Sequence, residues 1–226
     1  MKKRIHIITG HYGVGKSEVS VNLAIKLSQQ NENVVFADMD IVNPYFRSNE
    51  AKSVLEDSGI KVITTMYANT NVDVPALTGE LSKYLVDKSC KMVIDVGGDN
   101  AGSLVIGRYR HEIKDEEASV YLVINCFRPE TTTVSGALNI LEEIHAASRM
   151  KVNYIINNSH LMDDTTCEDI LKGMDFAAEV SKETNIPIAF HAIMKNEQLK
   201  FNHNVDEPIL WLNKTMGLNS HLKFME

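Results

Sequence analysis

The stretch Gly10-His11-Tyr12-Gly13-Val14-Gly15-Lys16-Ser17 fits the spacing G-x-x-x-x-G-K-[ST]. Each fixed position has a chemical reason. Glycines let a loop curl until successive backbone N–H groups point inward, a lysine reaches the outer phosphates of a nucleotide, and a hydroxyl ligates Mg²⁺. A helix that starts at the lysine adds its positive end to the same anion site. The reading places Gly10, Gly13, Val14, Gly15, Lys16, Ser17 and Glu18 around a phosphate chain, with Ser17 on the metal and Lys16 neutralising charge during catalysis.

Three carboxylates downstream extend that chemistry. In "VVFADMDIVNPYFRS", Asp38 and Asp40 alternate about Met39 and are expected on different faces at a strand's exit. An acidic group there holds Mg²⁺ through water or orients the water that attacks a γ-phosphate. A turn cluster is the alternative, because Asp, Asn and Pro favour turns. The functional reading puts Asp38 near the metal and Asp40 on the attacking water. In "KMVIDVGGDNAGS", Asp95 and Gly98 form D-x-x-G after an apolar run. The carboxylate suits the Mg²⁺ shell, and the glycine N–H is suited to sense a γ-phosphate. Asp99 and Asn100 read equally as polar switch residues or as a capped turn.

Further along, Asn157 and Asn158 offer donor and acceptor together and are candidates for reading a nucleobase edge. The N-K-x-D pattern usual in GTP-binding proteins is missing at this point, which favours ATP. Arg128-Pro129-Glu130 reads as a loop before a capped helix, with Thr131 to Thr133 as cap candidates and no required catalytic role.

These residues need strand ends to hold them. Short apolar runs at Ile5–Thr9, Val34–Ala37, Lys61–Thr64, Met92–Val96, Val120–Ile124, Val152–Ile156 and Pro187–Phe190 alternate with helical patterns such as Val134–Ala147 and Glu168–Glu183. That alternation predicts an α/β fold with a mostly parallel central sheet of about seven strands and helices on both faces. In such sheets ligands bind at the carboxyl ends of strands. No repeat or Pro/Gly-rich linker interrupts residues 1–226, which are expected to form a single nucleotide-binding domain.

Composition prunes the possibilities. The formal net charge of −7 argues against nonspecific duplex binding, which depends on phosphate neutralisation. Cys90, Cys126 and Cys167 lie far apart with no C-x-x-C pair and read as buried free thiols in a reducing compartment. No apolar run approaches the length of a membrane span, and the N-terminus passes directly into a strand, so a cytoplasmic location is expected.

The early phosphate loop, Asp-x-Asp after the second strand, D-x-x-G after the fourth and Asn after the sixth resemble the MinD/ParA/nitrogenase-iron-protein ATPases over roughly residues 1–200. The resemblance implies the P-loop NTPase fold, binding of Mg²⁺ and ATP, and a possible homodimer with nucleotide near its interface. The family's loop reads x-K-G-G-x-G-K-[ST]; here His11 stands where the first lysine would be and Tyr12 replaces the next glycine. Without that lysine, the usual nucleotide-sandwich dimer loses its trans-acting charge. The family's DNA-partition role wants a basic surface, which this acidic chain lacks. Its membrane-positioning role wants a basic amphipathic tail, whereas "PILWLNKTMGLNSHLKFME" has few cations and is expected to pack onto the domain. An iron–sulfur bridge wants cysteines beside Asp95–Ser103, and none is there. Two classes remain. One is an ATP-driven switch or maturation factor acting on another protein, its moving parts being Asp40–Arg47 and Gly97–Leu104. The other is an ATP-dependent small-molecule kinase or ligase, similar to dethiobiotin synthetase. The segment Asn43–Arg47 suits either a substrate pocket or a partner surface.

Overall fold

A computed structural model describes residues 3–30, 32–40, 49–64, 75–98, 100–195, 201, 203 and 205–215. The strands are β1 (Ile5–Thr9), β2 (Val34–Met39), β3 (Lys61–Thr64), β4 (Lys91–Val96), β5 (Ala118–Ile124), β6 (Tyr154–Asn157), β7 (Ile188–Met194) and β8 (Ile209–Leu212). All pair in parallel, in the order β3-β2-β4-β1-β5-β6-β7-β8. Parallel neighbours need long crossovers. The helices supply most of them: α1 (Lys16–Ser28), α2 (Asn49–Asp57), α3 (Pro75–Val86), α4 (Asn100–Arg108), α5 (Val134–Ser148) and α6 (Cys167–Thr184).

Strands covered on both faces read as unbroken apolar runs. The β5 sequence ASVYLVI is such a run, buried at every position. Alternate residues feed two cores. Ile5, Ile7, Ile94 and Leu122 meet α3 to α6 on one face, while Ile8, Phe36, Val93 and Tyr121 meet α1 and α2 on the other. Local chemistry sets the helix ends. Thr166 and Asp169 form a reciprocal capping box at the start of α6, and Thr133 accepts from the Gly136 N–H at the start of α5.

Three expectations need correction. The sixth strand begins at Tyr154, not Val152. Val152 N–H donates to His145 Nε2, and Asn153 Oδ1 accepts from Val120 N–H, so these two residues tie α5 to β5. The seventh strand runs on to Met194 because His191, polar in sequence, is buried and bonded to Asn157. The tail packs onto the sheet as expected, but as an eighth strand. Beyond β8 the chain clasps α1: Asn213 N–H donates to Asn22 Oδ1, Asn22 Nδ2 donates to Asn213 O, and Thr215 donates to Glu18.

Candidate functional site

β1, β2, β4 and β6 all end on one rim of the sheet, and the candidate residues gather there. The loop after β1 turns into α1 at Gly15, which takes the left-handed conformation (φ 87°, ψ 25°). A side chain there would be strained, and its Cβ would strike the Asn158 amide. No side-chain hydrogen bond caps α1 at Gly15, and a helix start of this kind suits an anion. Lys16 is buried and its Nζ donates to His11 O at 3.1 Å, spanning the loop it closes.

Asp38 and Asp95 are paired neighbours across β2 and β4. Both are fully buried. Asp40 N–H donates to Asp38 Oδ1 at 3.0 Å, and the Asp40 charge acts on Asp95. The expectation that Asp38 and Asp40 face opposite ways is therefore wrong. Side chains along a strand repeat every two residues, so positions i and i+2 share a face. All three carboxyls face the α1 side.

Asp95 has the most perturbed environment. Burial raises its carboxyl to about 6, against the lowering effects of the Lys16 ammonium and the Ser17 and Ser20 hydroxyls; the Asp40 charge raises it further. Ser20 Oγ donates to Asp95 Oδ1 at 3.1 Å, while Asp95 Oδ2 is buried with no hydrogen-bond partner among the described residues. An orphaned carboxylate oxygen near Lys16 and Ser17 fits a hard cation that prefers oxygen ligands. The residues that would hold Mg²⁺ are thus Ser17 and Asp95, with Asp38 behind them.

Gly98 closes the rim. A Cβ added to it would lie 2.6 Å from Lys16 Nζ and 2.6 Å from Tyr12 N, so only glycine permits this approach to the phosphate loop. Gly97 packs against Asp40 in turn. The D-x-x-G segment therefore touches both the loop and the second acidic group. Of the other expectations, Asp99 and Asn43–Arg47 fall outside the described residues, as does the side chain of Asn100.

Two residues take roles that their types do not announce. Asn158 is fully buried, and its Nδ2 donates to Val14 O at 2.8 Å, bracing the phosphate loop from the end of β6. Asn157 bonds His191 through Nδ2 and accepts from Ser159 N–H through Oδ1. Both Nδ2 groups are engaged inside the protein, while Asn158 Oδ1 is buried without a hydrogen-bond partner among the described residues. Glu18 likewise turns its carboxylate to Thr215. Cys90 and Cys126 are buried free thiols as expected, whereas Cys167 is half-buried. Among the described residues no group of His, Cys, Asp and Glu side chains forms a preassembled metal cluster, and no helix is long and apolar enough to cross a membrane.

A parallel sheet with a glycine loop between β1 and α1, an acid at the end of β4 and a glycine three residues on is a P-loop NTPase fold. Comparisons with known proteins agree at that level. The family described as "ParA: NUBPL iron-transfer P-loop NTPase" matches residues 1–49. No curated protein matches the chain by sequence. Among solved structures, the cell division protein FtsY of Thermotoga maritima is similar at 20% identity and a TM-score of 0.60, covering 84% of this chain and 61% of its own. FtsY of Elizabethkingia anophelis, a signal recognition particle receptor, matches at 16% identity and a TM-score of 0.56, covering 88% and 60%. FlhF, solved with GTP and Mg²⁺, matches at 15% identity and a TM-score of 0.55, covering 83% and 64%. The chain thus spans less than two thirds of the length of these proteins. At such identities the likeness is one of fold.

Proposed function

We propose that this protein binds Mg²⁺ and ATP at Gly10–Ser17 and hydrolyses the nucleotide slowly, as a switch acting on another protein. The observation that carries the reading is Gly98, held by its lack of a side chain against both Lys16 and Tyr12. A phosphate entering the loop would compete for Lys16 and change what Gly98 touches. Nucleotide state would thereby pass into α4, which begins at Asn100.

In this reading the N–H groups of the first turn of α1 and the Lys16 ammonium hold the phosphates. Ser17 and Asp95 hold Mg²⁺, which when bound withdraws charge from the phosphate oxygens. Asp40, beside Gly97 and near Asp95, orients the attacking water. Tyr12 on the loop is 64% exposed and Leu104 on α4 is 56% exposed, an apolar pair flanking the moving segment. Large exposed apolar side chains beside a switch support a protein partner, either a second copy of this chain or a different protein.

The structural neighbours favour GTP as a second reading, since FlhF was solved with GTP and Mg²⁺ and one FtsY structure holds GDP. Against it stands the missing N-K-x-D pattern, with the Nδ2 groups of Asn157 and Asn158 both bonded internally. Calorimetry with ATP and GTP in Mg²⁺ separates the two: tighter ATP binding is expected, and a preference for GTP would replace the nucleotide assignment. The switch itself is tested by hydrogen exchange over Gly97–Leu104 with ADP and with a nonhydrolysable ATP analogue. Protection is expected to rise only with the analogue. Identical exchange, together with turnover that appears only on adding a dialysable acceptor, would make the protein a small-molecule kinase or ligase instead.

A further inference from the structure

The opposite rim of the sheet holds a cavity of about 780 Å³, within the roughly 300–1,000 Å³ typical of small-molecule sites. It lies between the second half of α1 and the starts of β5 to β8. Leu23 and Leu27 of α1 form one wall. The other is the apolar surface of Tyr121, Tyr154, Phe190 and Leu210, the two tyrosine rings stacking at 5.4 Å between centroids.

Two features make this more than a packing gap. The first is a bulge in β7. Ile155 pairs with Ile188 but Ile156 pairs with Phe190, leaving Ala189 as an extra residue. Three consecutive residues, 188–190, consequently line the cavity where an ordinary strand would contribute alternate ones. The second is charge. In a chain with 30 acidic and 23 basic residues, the charged side chains among the described residues lining this cavity are Lys3 and Lys26, with no carboxylate in the lining. Lys3 Nζ is fixed by the carbonyls of Asp115 (2.7 Å) and Ala118 (2.8 Å), which orient the ammonium without neutralising it and leave a third N–H. Neither lysine forms an ion pair among the described residues. An apolar hollow edged by two cations that form no ion pair among the described residues complements an apolar body bearing one negative charge.

We propose that this cavity binds a small amphipathic carboxylate. Its hydrocarbon part lies between Leu27 and the Tyr154–Phe190 surface, and its carboxylate meets Lys3 and Lys26. The site is independent of the phosphate loop, which lies at the other end of α1.

Calorimetry on the full chain tests it with decanoate, kept below its micellar concentration, against decyltrimethylammonium of the same chain length. One decanoate per chain is expected, and no binding of the cation. Lys26 is exposed, so Lys26→Glu keeps the fold and should weaken decanoate about fivefold, the scale of an exposed charge pair. Ala189→Trp fills the hollow and should abolish binding. Lys16→Ala should bind decanoate like the wild type, which separates this site from the nucleotide site whichever nucleotide is used there. Equal binding of the two amphiphiles, or undiminished decanoate binding in both Lys26→Glu and Ala189→Trp, overturns the proposal.

Discussion

The two rims of one sheet are built on opposite principles. At the carboxyl ends of β1, β2 and β4, buried charges crowd together: Lys16, Asp38, Asp40 and Asp95 are all buried or nearly so. At the amino ends of β5 to β8, the walls are apolar and the charges stand outside at Lys3 and Lys26. The first arrangement is destabilising without a ligand, because desolvated carboxyls close together resist ionisation. The second is stable empty and gains by filling. The proposed polyanion site and the proposed apolar site would thus differ in where desolvation is met, before binding or during it.

The largest expected effect breaks the charged rim. Lys16→Ala should weaken nucleoside-triphosphate binding about 100-fold or more, roughly 2.7 kcal/mol, with the fold intact by circular dichroism. Unchanged affinity by calorimetry would remove the phosphate-loop assignment.

Next comes the pH dependence of the ligand-free protein. Asp95 titrates at about 6 in the fold, above its ordinary value, so the stability it contributes is present below about 4 and is lost as pH rises through 6. His6 lies under the same sheet face and behaves oppositely. Burial and the nearby Lys91 charge lower it to about 4, so its contribution is present above about 6.5 and is lost as pH falls through 4. Each shift corresponds to about 3 kcal/mol in a fully realised case. Asp95→Asn should therefore raise the stability of the ligand-free protein at pH 7 while weakening its Mg²⁺-dependent nucleotide binding. Denaturant titrations at pH 4, 5.5 and 7 check this, and a variant less stable than wild type at pH 7 would contradict the strain assigned to this carboxyl.

Gly98→Ala sharpens the comparison within the charged rim. Its Cβ would meet the Tyr12 backbone at 2.6 Å, so the loop must move. A loss of stability of about 1–3 kcal/mol is expected from such overpacking, with nucleotide affinity falling as well. Thermal unfolding and calorimetry on the one variant check both. The smallest effect is expected at the brace. Asn158→Ala removes the bond to Val14 O and should destabilise by about 1 kcal/mol, with a modest loss of nucleotide affinity. If Asn158→Ala instead changed the preference between ATP and GTP without changing stability, Asn158 would be a base reader after all.

Local order in the chain settled a good deal. The glycine spacing from Gly10 to Gly15, Lys16 and Ser17 after them, D-x-x-G at Asp95 to Gly98, and six of the strands within a few residues of their ends are all legible because loops, turns and burial write periodic signals. What stayed hidden depends on residues far apart in sequence. Asn158 looks like any amide until its Nδ2, just past the end of β6, is seen 2.8 Å from Val14 O. The tail reads as packing until Asn213 and Thr215 reach Asn22 and Glu18, nearly two hundred residues earlier. The shared face of Asp38, Asp40 and Asp95 was available from strand periodicity, but their convergence needed β2 to lie beside β4. The bulge at Ala189 leaves no signature of its own, because an extra residue is defined only against the partner strand. By itself the sequence determined where the candidate phosphate loop lies, since that motif is closed within eight consecutive residues. Which carboxyls gather around those atoms, what braces the loop and where an apolar cavity remains were decided by tertiary structure, because each depends on the order in which parallel strands pair.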